Sequence, residues 1–148
     1  MNLANKIDGL LINSPKVIHV AGGSVFRALR NDDEGFCGFK EVYFSTINYQ
    51  DIKSWKRHNL MTLNLTVIFG KVRLVFFDDR LTSNTKNMIF EIVLDPIDNY
   101  KRITVPPGIW FAFQGLSNDI SILQNVANIM HDPEEVDRKE LDQIKFEW

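Results

Sequence analysis

Two side chains suited to moving protons, Lys56 and His58, stand two positions apart in Ile52–His58, a stretch that reads as a β-strand. Strand side chains repeat every second position, so the lysine and the histidine share one face. A lysine held among apolar neighbours loses hydration and its pKa falls. The amine then becomes a proton acceptor, or a Schiff-base nucleophile toward a ketone. The alternative is a charged lysine at the mouth of the fold or in an ion pair. His58 is in turn either a catalytic residue or a hydrogen-bonded interior one. Metal chemistry has little to draw on. The chain has three histidines, His19, His58 and His131, and one cysteine, Cys37. Neither an internal disulfide nor a Cys-rich zinc site can be built from that set.

The elements that must position these groups are short. Runs rich in Val, Ile, Phe, Tyr and Thr alternate with polar residues and close on Gly, Asn, Asp or Pro. Val17–Val20 and Ser24–Leu29 flank Gly22-Gly23, whose tolerance of positive φ predicts a hairpin. Further strands are predicted over 40–46, 52–58, 60–69, 71–80, 88–94, 100–105, 109–113 and 120–126. Beyond them, Asp132-Pro133 reads as the cap and first position of a helical turn. The acidic tail from Asp132 to Glu147 reads as a solvated face with i,i+4 pairs such as Glu134–Arg138. About ten strands and no long helix predict an all-β sandwich or barrel with short helical turns, in one domain over 1–148.

Several motifs occur in order along the chain. They are Gly35-Phe36, Glu41-Val42-Tyr43-Phe44-Ser45, Ser54-Trp55-Lys56-Arg57-His58, Met61-Thr62-Leu63-Asn64-Leu65, Val72-Arg73-Leu74-Val75 with Asp78-Asp79-Arg80, Val105-Pro106-Pro107-Gly108-Ile109-Trp110, and His131-Asp132-Pro133. From about Val17 to Arg138 the chain resembles the cupins, and within them the dTDP-4-dehydrorhamnose 3,5-epimerase type of sugar-nucleotide enzyme. The resemblance implies a cupin jelly-roll barrel. It also implies abstraction of the proton beside a sugar ketone, with a base on one face of the ring and an acid on the other. The base histidine of the family aligns with Lys56, a second histidine with Phe111, the acid tyrosine most nearly with Gln124, and a strand lysine with Leu63. Lys53 aligns with an arginine that meets the diphosphate. Metal-dependent cupins converge histidines and a glutamate on one ion, and at those positions this chain offers only His58, so no metal or other cofactor is expected.

On this resemblance Lys56 and His58 are the catalytic candidates. Lys53, Arg57 and Arg73 are candidates for a nucleotide diphosphate, Arg offering a bidentate fork, though Arg57 and Arg73 read equally as solvated outer-face charges. Asn64 and Gln124 could hydrogen-bond sugar hydroxyls inside the barrel, while Tyr43, Trp110 and Phe113 could stack on a base or sugar or belong to the core. His131 reads as structural, and His19 as surface or dimer-facing.

Composition sets the limits on partners. Apolar residues make up 45% and charged residues 24% of 148, with 17 Lys plus Arg against 19 Asp plus Glu. A net charge of -2 provides no broad positive field for nucleic acid. No run approaches the roughly 20 apolar residues of a membrane span, and Met1 to Asp8 has no signal-peptide core, so a cytoplasmic protein is expected. The reading is therefore a metal-independent isomerase or epimerase of a nucleotide-linked 4-keto-6-deoxy sugar in the synthesis of cell-surface polysaccharide such as lipopolysaccharide. It is expected to be a homodimer in which an N-terminal edge strand covers the partner. The alternative is a catalytically inactive cupin that binds a sugar nucleotide or a protein partner.

Overall fold

A computed structural model describes residues 6–148; the first five residues of the segment read for export signals lie outside the described residues. Twelve strands run β1 Leu11–Asn13, β2 Val17–Val20, β3 Gly23–Phe26, β4 Glu41–Ile47, β5 Ile52–His58, β6 Leu63–Phe69, β7 Val72–Phe77, β8 Ile89–Leu94, β9 Arg102–Val105, β10 Trp110–Gly115, β11 Ser121–Ala127 and β12 Val136–Arg138. One antiparallel sheet has the order β1-β9-β6-β11-β4, the other β12-β5-β10-β7-β8, and β2-β3 stands apart as a two-stranded ribbon. This is the cupin jelly roll. The predicted strands are all present, and β1 and β12 are additional. No described helix is long and apolar enough to cross a membrane.

Period-two alternation decides what each strand buries. Leu63, Leu65 and Val67 of β6 and Leu123 and Ala127 of β11 face Leu74 and Phe76 of β7, Ile92 of β8, and Phe111 and Phe113 of β10 in one core between the sheets. The residues between them face outward. On the second sheet this outer face is apolar too: Trp55, Val75, Trp110 and Ala112 are covered by Ile144, with Phe146 and Trp148 packed alongside. The tail is thus partly a lid on the sheet.

That lid corrects the reading of the tail as a solvated helical face. Asp132 caps and Pro133 leads as expected, but the turn Pro133–Glu135 is a single 3-10 turn. The chain then extends into β12, which pairs with β5 as Val136 with His58, Asp137 with Arg57 and Arg138 with Lys56. Extended backbone carries Glu134 and Arg138 apart, and the predicted pair between them is not formed.

Candidate active site

The site is built on β5. Opposite β10, Phe111 pairs with Lys56 and Phe113 with Lys53, a spacing of two against three. Ser54-Trp55 is therefore a β-bulge facing the single residue Ala112. Strict alternation would place Lys53 outside with Trp55 and Arg57. The bulge instead returns Lys53 to the face of its cross-strand neighbour Phe113, which is the inner face of Lys56 and His58 as well.

Lys56, His58, Phe111 and Phe113 line a pocket open at one end of the barrel. Its mouth, about 240 Å³, is bordered by Glu41, Tyr43, Lys56, His58, His131 and Arg138. It narrows to a recess of about 40 Å³ whose walls include Ser45, Leu63, Phe111, Phe113 and Asn125. A wider groove of about 830 Å³ runs against the tail, but its walls are apolar side chains fringed by exposed Asp142, Lys145 and Glu147. Convergent polar groups mark the smaller pocket as the chemical one.

His58 and Glu135 form a buried dyad across the β5–β12 pair, with Nδ1 of the imidazole against Oε1 of the carboxylate. The other carboxylate oxygen accepts backbone N–H groups of Asn59 at 3.0 Å, Leu60 at 2.9 Å and Met61 at 3.3 Å. Burial works to raise Glu135, but the bonds from His58 and from the Leu60 and Met61 amides outweigh it and hold the carboxyl below its usual range. Burial pushes His58 down against the upward pull of Glu135. The dyad is thus a neutral imidazole donating from Nδ1 to a carboxylate, a tautomer assigned from its partner. Nε2, which makes no hydrogen bond among the described residues, is left as a proton acceptor in the pocket. Phe111 stacks on the ring at 5.9 Å between centroids.

Lys56, half-buried, makes no hydrogen bond or ion pair among the described residues. Burial lowers its pKa, and the charges of Arg138 and Lys53 lower it further. Tyr43 on β4 accepts a 2.9 Å hydrogen bond from Asn125 Nδ2. Burial raises its pKa, and Glu41 and Glu135 add to the rise, so the phenol stays protonated. The pocket therefore holds an imidazole acceptor (His58), a phenol donor (Tyr43), an amine without a counter-ion (Lys56) and a further unpaired cation, Arg138, while exposed Lys53 lies outside its lining, near enough for its charge to act on Lys56.

The other five sequence candidates lie outside this pocket. Asn64 points away from the core because Leu63 and Leu65 point into it; its amide donates to the Gly35 carbonyl and its oxygen accepts from Thr104. Gln124 accepts from Thr66 on the same outer face. Arg73 bonds Gln114 and lies near Glu91 on the outside of β7. Arg57 forms ion pairs with Asp79 and Asp137, and its guanidinium stacks over Trp110, whose indole N–H donates to Asp79. Trp110 is thus committed to the covered outer face rather than to a ligand inside the barrel. The expectation of sugar contacts by Asn64 and Gln124 inside the barrel is corrected by the same parity. Phe113 and Tyr43 do line the recess. His131, read as structural, borders the mouth, while His19 is exposed and bonded to Ser24 on the hairpin.

Glu135, and Tyr43 as a proton donor rather than a stacking surface, were not foreseen from sequence. A capping-type Asp-Pro-Glu-Glu followed by a valine gave no sign that its second glutamate is buried. Tyr43 sits on β4 opposite Asn125 of β11, one strand away from the late strand where an acid tyrosine was sought.

No family model matches the chain, and no curated protein matches it. Among solved structures, the dTDP sugar isomerase from Desulfovibrio desulfuricans is 32% identical over 96% of this chain and 92% of its own, with a TM-score of 0.91. The chain belongs to the family of dTDP-sugar isomerases and epimerases. More distant structures share the family fold: a dTDP-6-deoxy-D-glucose-3,5-epimerase from Legionella pneumophila, in complex with dTDP-4-keto-L-rhamnose (20% identity, 97% and 80% coverage, TM-score 0.83), and a 3'-monoepimerase from Streptomyces bikiniensis in complex with dTDP-quinovose (15%, 96% and 76%, TM-score 0.84). Against the pattern implied by the resemblance, this family member carries Lys56 where the base histidine aligns and an imidazole two residues on, at His58. No cluster of three or more metal-type ligands occurs among the described residues. The metal-cupin positions, occupied by Lys56, His58 and Phe111, do not fit an ion.

Proposed function

We propose that the chain, acting as one catalytic domain, is a metal-independent isomerase or epimerase of a nucleoside-diphosphate-linked 4-keto-6-deoxy sugar. The observation that carries this reading is the His58–Glu135 dyad, whose Nε2 opens into the pocket beside Lys56 and Tyr43. A proton beside a ketone is weakly acidic. Its removal needs a neutral base and an electron-accepting group at the carbonyl, the roles given to His58 and Lys56. Tyr43 returns or supplies a proton. Arg138 at the mouth and exposed Lys53 beyond it, cations with no ion-pair partner among the described residues, meet the diphosphate, for which Arg supplies a fork of donors. The ligands of the structural neighbours, dTDP-4-keto-L-rhamnose and dTDP-quinovose, support this substrate class.

The setting is cytoplasmic synthesis of cell-surface polysaccharide. The molecule works as a homodimer in which the β2–β3 ribbon covers a partner. An isolated two-stranded ribbon is marginally stable in water, and this one exposes Val20, Val25 and Phe26, as the outer face of β4 exposes Val42 and Phe44. Incubation with a dTDP-linked 4-keto-6-deoxyhexose, followed by NMR of the product, is expected to show a sugar changed in stereochemistry or carbonyl position. Tight binding without turnover would instead support a non-catalytic sugar-nucleotide cupin.

A further inference from the structure

We propose that Lys56 is a covalent catalyst whose Nζ condenses with the ketone of the bound sugar, so that His58 removes a proton from carbon beside an iminium group rather than beside a free carbonyl. The proposal rests on the sugar-nucleotide reading above and adds the chemical mode of the same site.

Four features converge on it. Lys56 stands in a recess walled by Leu63, Phe111 and Phe113, where an ammonium is poorly solvated. No carboxylate pairs with it among the described residues, and the charged groups acting on it, Arg138 and Lys53, are themselves cations; a lysine so placed is an amine nucleophile. The base is already supplied, because His58 on the same face is oriented by Glu135 with Nε2 free. Finally, Leu63 and Phe111 bring no charged donor to an enolate oxygen, and the polar groups that share the recess, Tyr43, Ser45 and Asn125, are neutral. An iminium nitrogen takes up the electron pair instead.

The neutral amine adds to the ketone carbon, the C=O π pair passes to oxygen, and proton transfer from nitrogen gives a neutral carbinolamine. The hydroxyl leaves as water, completed by the Tyr43 proton, as the nitrogen lone pair forms C=N⁺. His58 Nε2 then takes the α-proton, and the C–H pair becomes the C=C bond of an enamine while the C=N⁺ π pair returns to nitrogen. Protonation at carbon from the His58 imidazolium, directly or after its proton exchanges with solvent, restores the iminium and returns His58 to its neutral form. Water adds, Tyr43 recovers its proton, and the ketone and the amine separate. No oxidant or reductant is consumed.

Cyanoborohydride added to the full-length protein with a dTDP-linked 4-keto-6-deoxyhexose is expected to leave a secondary-amine adduct of the sugar nucleotide on Lys56, located by peptide mass spectrometry. Lys56→Ala and Lys56→Arg are expected to give none. Lys56→Arg keeps the positive charge, and its fold is checked by circular dichroism; its deuterium exchange beside the ketone should fall on the order of a thousandfold. Absence of a Lys56 adduct while the wild type exchanges deuterium overturns the covalent step alone, as does near-normal exchange by Lys56→Arg. Absence of both adduct and exchange overturns the sugar-nucleotide reading with it.

Discussion

At the residue scale, the proposed catalysis depends on the protonation state of His58. Its folded pKa lies below the usual 6.5 because burial, with Lys56 and His131 nearby, outweighs the pull of Glu135. A depressed histidine is neutral at pH 7 and becomes charged only as pH falls through its folded value. Its contribution to stability is therefore present above about 6.5 and lost on acidification. Imidazole NMR titration is expected to place the His58 midpoint below 6.5. Glu135→Gln removes the charge and weakens the hydrogen bond that raise it, so the midpoint should move further down and turnover should fall roughly 100-fold. An upward move would contradict the neutral dyad. The sequence supplies His58 and Lys56 as a same-face pair by spacing alone. It does not supply Glu135, because the contact joins residues 77 apart and no local periodicity encodes a strand pairing of that range.

At the scale of elements, the bulge at Ser54-Trp55 and the short strand β12 assemble the mouth. Both were invisible to pattern reading. A bulge breaks the alternation on which strand prediction rests, and three residues of β12 are too few to alternate. The rest of the sheet was legible, since strict apolar alternation in β6, β7 and β10 assigns their buried faces correctly. The same rule, applied to single residues, would have placed Asn64, Arg73, Trp110 and Gln124 outside. Arg138 reaches the pocket through β12, and the bulge turns Lys53 to the same side of the sheet as Phe113. Lys53→Ala and Arg138→Ala are each expected to weaken dTDP binding about tenfold, roughly one charge-assisted hydrogen bond, with kcat little changed; calorimetry with dTDP and steady-state kinetics separate the two. On the opposite face, Ile144→Ala removes the plug over Trp55 and Trp110 and should cost about 2–5 kcal/mol in urea unfolding. Its turnover at a temperature where it is folded should match wild type, because the plug and the pocket lie on opposite faces of one sheet.

At the scale of the whole molecule, a five-on-five jelly roll encloses its chemistry at one end and leaves the β2–β3 ribbon and the outer face of β4 apolar and exposed. Light scattering is expected to give about 34 kDa, twice the chain mass of 17.2 kDa, and Phe44→Glu should shift the protein toward the monomer. A wild-type monomer at micromolar concentration would contradict the dimer. The fold class was plain from about ten short strands, and the motif order already pointed to the family. The pairing of His58 with Glu135 was hidden because motif alignment pairs positions in sequence, whereas the dyad is fixed by which side chains meet across β5 and β12. In the proposed reaction His58 withdraws a proton from carbon beside the ketone of a nucleotide-linked sugar. The most direct test of this step is deuterium incorporation from heavy water into a dTDP-linked 4-keto-6-deoxyhexose, followed by NMR. The prediction is enzyme-dependent incorporation at a carbon adjoining the ketone that His58→Ala abolishes; no incorporation above the enzyme-free rate, or undiminished incorporation by His58→Ala, would contradict it.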